Sequence, residues 1–452
     1  MYIYIDCTDL IQTDLNTGIQ RVARNIINNR LLAEQKHGII YQPVCYYKKY
    51  GFIKVQGCQK NDLRNSVGYL HNIRFYLNEY WRFKRLSKSI FPFSEFDNWI
   101  EHHWQIKKNW LLPLLLVLFV SPLALVAFVY TELIPPRNPW KPKKDDILII
   151  PGSSWVDSNS DILSGIYAVK TVFGRVATIF YDLIPISHPQ YVFESTVKEF
   201  TSNFPLIVAS TDIFIAISMT TENILKEYLQ KNTVADKPST SHFLLGADLD
   251  PIKHTSEVRK TLQSHFKKNK PYLCVGTIEP RKNHTLLMDV FDKIWDSDQD
   301  IHLCIIGRYG WKSEKLEERI KTHPLFGKKL TWFTDLNDAE LSYCYKNAKA
   351  LIFPSIIEGF GLPLIEALHY GCPVMASDIP VFREIGGNRC SYFTIDTPDS
   401  LIAEINYFEK CGKPSCEQPT DEFEWVSWEE SALEFYRIVT EHFNTNENST
   451  AN

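Results

Sequence analysis

Two glutamates that could bind a ligand, Glu358 and Glu366, lie eight positions apart in the stretch Glu-Gly-Phe-Gly-Leu-Pro-Leu-Ile-Glu. A helix that starts in such a glycine-rich turn has unpaired backbone N–H groups, which attract an anion such as phosphate. Carboxylates bind phosphate poorly but accept hydrogen bonds from sugar hydroxyls. The combination favours a ligand that carries both groups, a nucleotide-sugar. The alternative is a strand, turn and helix whose acids are only solvated or capping.

The flanking residues predict the elements that position these glutamates. The apolar run from Leu351 to Phe353 predicts a buried strand that ends before a tight loop, and apolar residues recur at helical spacing from Leu362 onward. Pro363 is compatible with a first helical turn, where its missing N–H costs little. We therefore expect Glu358 in the loop and Glu366 one turn inside the helix.

Length and composition limit the class of protein. A chain of 452 residues is too long for one ordinary core, and at roughly 150 residues per domain we predict two domains. Hydrophobic residues make up 44% and charged residues 23%, as in globular proteins, and a formal net charge of -4 gives no electrostatic reason to expect a nucleic-acid partner. The 10 cysteines lack Cys-x-x-Cys spacing, which favours reduced core thiols.

Two short acidic strings, Asp248-Leu-Asp250 and Asp296-Ser-Asp298, invite a metal interpretation. Such pairs recur by chance in a chain with 53 acidic residues, and Asp296 lies where a helix is predicted to end. We therefore predict no metal site.

The first part of the chain alternates strand-like and helix-like segments. A strand is predicted from Tyr2 to Ile5, and Gly18 then opens a helical segment. A strand, a glycine turn and a helix present backbone amides to a ligand in α/β proteins, although Gly18 also fits an ordinary turn. Further strands, each followed by a polar loop, are predicted at 146–150, 176–180, 212–217 and 241–245. Asp182 lies in one of these loops.

A second alternating block begins at Tyr272. Strands are predicted at 272–275, 301–306, 330–333, 351–353, 373–376 and near 392, and helices at 284–295, 313–321 and 338–348. This alternation predicts a second α/β domain with a parallel sheet. Residues 253–270 are interpreted as a linker or connecting helix, and the polar tail after Asn444 as disordered.

The segment from Trp110 to Tyr130 contains about 20 uncharged residues, enough to cross a bilayer as one helix. Pro113 and Pro122 interrupt it, and basic residues on both sides favour both ends staying in the cytoplasm. We predict a membrane anchor that does not cross, and a buried hairpin or a single span are the alternatives. Residues 76–93 mix aromatic rings with cations, which suits either a headgroup layer or an ordinary amphipathic helix.

Four segments together resemble the retaining GT-B glycosyltransferases of group 1, also called glycosyltransferase family 4. Glu358 to Glu366 resembles the Glu-x7-Glu signature of that family. Three further segments resemble its mannosyltransferase-like members: Thr17 to Val22, Val275 to Asn283 and Ser377 to Glu384. The resemblance covers nearly the whole chain except about 76–144. It implies an α/β, GT-B fold of two Rossmann-like domains facing each other across a cleft.

The resemblance also implies a domain plan. An acceptor-side domain would occupy 1–260, with the apolar, membrane-associating insertion at about 76–144, and a nucleotide-sugar-binding domain would occupy 270–422. A C-terminal helix at 423–444, with Trp425 and Trp428, would pack across the two domains. Residues 445–452 would form the disordered tail.

Carried over residue by residue, the resemblance assigns the donor site. Glu366 would hold the ribose hydroxyls and Glu358 those of the donor hexose. Lys282, with Arg281, would neutralise the departing diphosphate, because breaking the glycosidic bond places negative charge on phosphate. The remaining donor-binding positions are backbone groups in glycine-rich loops: Gly18, Gly276, Thr277, Gly359, Phe360, Gly361 and Leu362.

The sequence departs from the family pattern at two of these places. Many members have Arg where Thr277 stands, so Arg281 is expected to substitute for it. Many also have His where Tyr181 and Asp182 lie, and Asp182 is the candidate to position or deprotonate the acceptor hydroxyl.

The implied function is transfer of a hexose, mannose by family analogy, to a glycan or lipid-linked acceptor in polysaccharide or lipopolysaccharide synthesis. GDP-mannose is the favoured donor, and no cofactor or metal is expected. The enzyme would be cytoplasmic, peripheral or monotopic on the inner face of the cytoplasmic membrane, which it would contact through Trp110 to Tyr130. A nucleotide-sugar epimerase of the same fold and a catalytically silent scaffold are the alternatives.

Overall fold

The computed structural model describes residues 2–12, 17–47, 51–57, 139–153, 160–232, 237–249, 258–416 and 423–449. The predicted membrane anchor, Trp110 to Tyr130, lies outside these residues. Among the helices that are described, none combines the length and apolar character needed to cross a bilayer. The described residues form two α/β domains built on mainly parallel sheets, as predicted.

The described strands, in chain order, are β1 Tyr2–Asp6, β2 Ile40–Tyr47, β3 Gly51–Lys54, β4 Pro139–Trp140, β5 Ile147–Ile150, β6 Arg175–Phe180, β7 Ile213–Ala216, β8 Ser239–His242, β9 Tyr272–Val275, β10 Leu303–Ile306, β11 Leu330–Phe333, β12 Leu351–Phe353, β13 Val374–Ser377 and β14 Cys390–Phe393. The described α-helices are α1 Thr8–Gln12, α2 Gly18–Asn28, α3 Arg30–His37, α4 Ser160–Lys170, α5 Ile184–Ser187, α6 Glu194–Ser210, α7 Met219–Lys231, α8 Lys260–Asn269, α9 His284–Asp296, α10 Glu314–Thr322, α11 Asp338–Asn347, α12 Leu362–His369, α13 Pro380–Gly386, α14 Pro398–Cys411 and α15 Trp428–Ser449.

Residue contacts divide the chain into two compact units. The first unit comprises Met1–Leu15, Ile40–Leu148 and Ser158–Gly174, and the second comprises Asn16–Ile39, Ile149–Asp157 and Arg175–Asn452.

In the first unit, strand β1 pairs in parallel with β2. β2 pairs antiparallel with β3, which pairs antiparallel with β4. The rings of Tyr4, Phe52 and Trp140 pack together, with the Tyr4 and Trp140 centroids 3.7 Å apart. This aromatic cluster joins side chains of strands β1, β3 and β4.

The second unit contains two sets of parallel strands. β6, β7 and β8 pair in that order, with Ala177 opposite Ile213 and Ile213 opposite Ser239. Strand β8 therefore begins at Ser239, two residues before the predicted start of that strand, and it ends before Phe243. A second, six-stranded sheet has the order β11-β10-β9-β12-β13-β14. Its core is apolar on both faces, as parallel sheets covered by helices require.

Helix α15 binds parts of the second unit that are far apart in sequence. The hydroxyl of Tyr436 donates to the carbonyl of Ile26 in α2, and the N–H of Trp428 donates to Asp248 Oδ1 at 2.6 Å. The helix continues to Ser449, beyond the predicted end at 444. The packed upstream turns nucleate the helix, and polar residues can then extend it.

Candidate functional site

The strand order of the six-stranded sheet determines where a ligand can bind. The order reverses between β9 and β12, which are neighbours in the sheet although β10 and β11 lie between them in sequence. In open α/β sheets, ligands bind at the carboxyl ends of the strands at such a switch point. The loops that follow β9 and β12 carry Arg281, Lys282 and Glu358. The structure therefore brings the predicted catalytic cations and the loop glutamate to one position.

Backbone geometry shapes the loop after β9. Gly276 has a φ of +147°, a conformation that L side chains rarely adopt. A Cβ atom there would lie 3.4 Å from Lys282 Cε, so this glycine leaves room for the lysine stem. Thr277 lies against the loop after β10, since a Cβ on Gly310 would be 2.8 Å from Thr277 Cγ2. The short turn Pro280–Lys282 then leads into α9.

Arg281 lies between two carboxylates. Its Nη1 atom is 2.5 Å from Glu358 Oε2, and its Nη2 atom is 2.6 Å from Glu279 Oε1. Lys282 Nζ lies 2.5 Å from Glu358 Oε1, so each oxygen of Glu358 faces a cation. The side chains of Glu279, Glu358 and Lys282 are only 2%, 7% and 11% exposed. Ion pairs this short and this shielded from water hold both cations in fixed positions.

The pKa shifts follow from this pairing. Burial raises the pKa of the Glu358 carboxyl, but the charges of Arg281 and Lys282 outweigh burial and bring the pKa to about 2. Burial lowers the pKa of the Arg281 guanidinium, and the charges of Glu358 and Glu279 more than reverse this effect. Glu358 is thus ionised at neutral pH, and its charge helps to keep the Arg281 guanidinium protonated.

The loop of Glu358 packs tightly against the loop that follows β6. A Cβ atom on Gly359 would lie 2.3 Å from the carbonyl oxygen of Tyr181 and 3.3 Å from Asp182 Cβ. The carbonyl oxygen of Gly359 accepts hydrogen bonds from the hydroxyls of Ser218 and Thr221, at 3.1 Å and 2.7 Å. Only glycine fits at this position, and its fit brings Asp182 beside the charged cluster.

Asp182 is in the electrostatic field of that cluster. Its Oδ1 atom accepts a hydrogen bond from the N–H of Ile184 at 2.9 Å. Burial raises the pKa of Asp182, the N–H of Ile184 and the charge of Arg281 lower it, and the charge of Glu358 raises it, with a net upward direction. A carboxylate of raised pKa is a better proton acceptor than an ordinary aspartate.

Helix α12 begins at this loop with open donors. Gly361, at its N-terminus, has a φ of +119°, and a Cβ atom there would lie 2.7 Å from the ring of Phe382. The backbone N–H groups of Phe360, Gly361 and Leu362 donate to no group among the described residues. Gly18 reaches the same helix start, since a Cβ on it would lie 3.8 Å from Leu362 Cδ1. Free N–H groups and two nearby cations form a suitable environment for an anion.

Glu366 lies one turn further along α12 and is 3% exposed. Its Oε1 atom is 2.6 Å from Arg21 Nη1, and its Oε2 atom accepts a hydrogen bond from the Tyr345 hydroxyl at 2.9 Å. The structure therefore assembles the predicted donor-site residues in the second unit.

Sequence reasoning missed several partners in this site. Glu279 and Arg21 lie inside segments that resemble the family, but the resemblance implied no role for either residue. Tyr345 and Ser218 lie outside the four segments that resemble the family. A glutamate next to the Arg281-Lys282 pair was the one local indication of Glu279, while the pairing of Arg21 with Glu366 joins residues 345 positions apart.

Two polar groups outside this cluster, the Asp248 carboxylate and the Trp425 indole, have structural partners. Asp248 accepts the N–H of Trp428, and the indole N–H of Trp425 donates to the carbonyl of Leu245 at 2.7 Å. His284 is 1% exposed in α9, and His369 is exposed in α12. Within the described ranges, no three His, Cys, Asp or Glu side chains are grouped so that they could hold a metal ion.

Residues 258–422, which include the loops after β9 and β12, match the family model of glycosyl transferases group 1. This part of the chain, which contains the six-stranded sheet, is therefore similar to glycosyl transferases group 1.

A curated relative is the serotype-specific mannosyltransferase WbdA of Escherichia coli. It is 29% identical over 296 residues, which cover 64% of this chain and 36% of the relative. The match thus spans about a third of the length of that relative.

Solved structures agree with the fold. Sucrose-phosphate synthase (tll1590) from Thermosynechococcus elongatus is 14% identical, with 98% of this chain and 99% of that chain covered and a TM-score of 0.57. Anabaena Alr3699/HepE, in complex with UDP and glucose, is 13% identical, with 100% and 98% covered and a TM-score of 0.51. These likenesses confirm the predicted GT-B fold.

Proposed function

We propose that this chain is a retaining glycosyltransferase that moves a hexose from a nucleotide-sugar to a glycan or lipid-linked acceptor in polysaccharide or lipopolysaccharide synthesis. Mannose is the favoured hexose and GDP-mannose the favoured donor, because the curated relative is a mannosyltransferase. The observation that carries the proposal is the pair Arg281 and Lys282, held on Glu358 beside the open N–H groups of α12.

The charges suit the difficult step of the reaction. As the bond between the sugar C1 and the diphosphate oxygen breaks, its electron pair stays on the diphosphate. Lys282 and Arg281 would stabilise that growing charge without reorganising, because Glu358 already fixes both cations. The N–H groups of Gly361 and Leu362 would hold the same diphosphate. Gly18, Gly276 and Thr277 would allow the backbone to approach it closely.

The hydroxyl groups of the donor would be held by carboxylates. In this proposal Glu366 accepts hydrogen bonds from the ribose, and Glu358, with Gly359 and Phe360, lies along the hexose. The acceptor hydroxyl forms the new bond to C1 with retention, and its proton passes to Asp182. Asp182 suits this role because it is next to Gly359 and its pKa is raised. The reaction as proposed needs neither a metal ion nor an organic cofactor.

The site of action is part of the same proposal. The protein would be cytoplasmic and attached, as a peripheral or monotopic protein, to the inner face of the cytoplasmic membrane. The contact would be Trp110 to Tyr130, whose basic flanks favour a surface with anionic lipids. An acceptor linked to a lipid would then be presented at that surface.

A nucleotide-sugar screen tests the proposal. Purified protein is incubated with GDP-mannose, GDP-fucose, UDP-glucose or UDP-N-acetylglucosamine, with and without membrane extract as the acceptor source, in EDTA. We expect acceptor-dependent release of the nucleotide from one donor. Lys282→Ala should reduce transfer by about 100-fold or more while the variant stays folded. Lys293→Ala, a surface lysine paired with Asp399, is the control and should keep full activity.

Three outcomes would overturn the proposal. Isomerised sugar formed from the donor alone would indicate an epimerase. Absence of both turnover and nucleotide-dependent thermal stabilisation would indicate a silent scaffold. Full activity of Lys282→Ala would remove the assigned role of the cations.

A further inference from the structure

Arg21 is the one cation paired with Glu366 among the described residues. Arg21 Nη1 lies 2.6 Å from Glu366 Oε1, and the Glu366 side chain is 4% exposed. The second oxygen of Glu366 accepts the hydroxyl of Tyr345. Burial lowers the pKa of Arg21, but Glu366 more than compensates, with smaller contributions from Asp338 and the hydroxyl groups of nearby tyrosines. The pair is therefore a charged contact between a buried carboxylate and a guanidinium that is 23% exposed.

This arrangement determines what Glu366 can still bind. An ionised carboxylate has about four lone-pair sites, and Arg21 and Tyr345 use one on each oxygen. One acceptor site on each oxygen stays open, which matches two neighbouring hydroxyl groups of one sugar. The ion pair with Arg21 thus fixes the orientation of the Glu366 carboxylate.

The same helix reaches the other end of the site. Arg21 lies three residues after Gly18, so α2 places its first residue against Leu362 and its first turn against Glu366. Helix α15 contacts α2 through the hydrogen bond that the Tyr436 hydroxyl donates to the carbonyl oxygen of Ile26. The distance between the two contact points is fixed by one turn of a packed helix.

We propose that Arg21 is a positioning residue for ribose, and that through Glu366 it makes the enzyme select ribonucleotides over 2′-deoxyribonucleotides. This inference rests on the proposed function, in which Glu366 holds the ribose. Arg21 acts through Glu366 and does not touch the donor. Its loss should weaken the preference for ribose more than it weakens affinity for the diphosphate.

Calorimetric titration tests the inference. The wild-type protein is titrated with GDP and 2′-deoxy-GDP, and with UDP and 2′-deoxy-UDP, and the ratio of the two Kd values is the readout. We expect the wild type to prefer the ribonucleotide by about tenfold or more. The 2′-deoxyribonucleotide lacks the hydroxyl that would donate a hydrogen bond to the buried Glu366 carboxylate. Arg21→Ala and Glu366→Gln should each bring that ratio close to one. Arg21→Lys keeps the charge and should restore part of the preference.

Controls separate positioning from folding. Arg319→Lys changes another arginine paired with carboxylates, Asp289 and Asp292, and should leave the ratio unchanged. Arg21→Ala combined with Glu366→Gln removes both members of the buried pair, and it should fold and show no further loss of selectivity. If folded Arg21→Ala keeps the wild-type ratio, or the wild type shows no preference, the inference is wrong although nucleotide binding stands. If the wild type binds none of the four nucleotides, the proposed function itself fails.

Discussion

Lys282 and Glu358 come from loops that follow two neighbouring strands, and their charged atoms meet at 2.5 Å. Arg281 approaches the other oxygen of the same carboxylate. The loop that precedes α12 and the loop that precedes α9 are therefore joined through Glu358. Glu358 thus has a role that its family assignment did not include, because it fixes the positions of both cations.

This role predicts a pH dependence of stability for Glu358. Its pKa of about 2 lies below the ordinary value of 4.5, so its ion pairs stabilise the fold above about pH 4.5, and that stabilisation is lost as the pH falls toward 2. The shift corresponds to up to about 3 kcal/mol. Glu358→Gln should lower the urea midpoint at pH 7 and lose less stability than the wild type on acidification. Equal acid sensitivity of the two proteins would contradict the ion-pair assignment.

His284 should make the folded protein less stable at acidic pH. It is 1% exposed, and neither ring nitrogen has a hydrogen-bond partner among the described residues. Burial, with help from the charge of Lys282, lowers its pKa to about 3. The unfolded chain takes up a proton below about pH 6.5 and the folded chain does not, so stability falls as the pH drops from 6.5 toward 3.

A substitution isolates this effect. At about pH 5 the histidine should destabilise the fold by about 2 kcal/mol relative to neutral pH. His284→Leu should remove that part of the acid sensitivity, which urea titrations at pH 7 and 5 measure. His323→Leu provides the matched control, because His323 is hydrogen-bonded to Asp292 and therefore lacks the unpartnered ring of His284. An unchanged slope in His284→Leu would show that the ring is hydrated in solution.

Gly359 should tolerate no side chain. Its Cβ would lie 2.3 Å from the carbonyl oxygen of Tyr181, so Gly359→Ala must separate the two loops. We expect Gly359→Ala to lower the Tm and to reduce transfer at least as much as Lys282→Ala does. Gly18→Ala is the comparison, since its Cβ would make an ordinary contact of 3.8 Å with Leu362. Gly18→Ala should keep the wild-type Tm, and a lower affinity for the donor would place the diphosphate at this turn.

The membrane proposal has a separate test. Replacing 111–129 by a Gly/Ser linker of equal length removes the apolar segment and keeps its basic flanks. We expect this variant to leave the membrane fraction and to bind nucleotide as the wild type does. A variant that instead changes Lys141, Lys143 and Lys144 to Gln keeps the apolar segment and should stay membrane-bound at high salt. If the linker variant remains in the membrane fraction, the attachment lies elsewhere.

The sequence predicted the second sheet better than the first. β9, β11 and β12 begin and end where predicted, because buried parallel strands are short apolar runs bounded by glycine, proline or charge. β2 and β3 were not predicted. The two strands pair antiparallel and contain Pro43 and Gly51, residues that weaken a strand pattern.

The residues of the candidate site were also only partly predicted from the sequence. Loop residues such as Gly361 and Lys282 were predicted because they lie in segments that resemble the family's motifs. Arg21 and Tyr345 were not, because their pairing with Glu366 depends on the packing of α2 and α11 against α12, and no local spacing records such packing. Periodicity predicts which face of a helix is buried, but it does not predict which partner a charged side chain meets.

The contact between α2 and α15 has a consequence for synthesis in the cell. Ile26 and Ile27 are fully buried in the finished fold, and their cover includes Tyr436 from the last helix. During translation α2 emerges about 400 residues before α15, so that face waits until the residues between the two helices have been made. Products that terminate before Trp428 would expose it permanently and should be recognised by chaperones or proteases as incomplete.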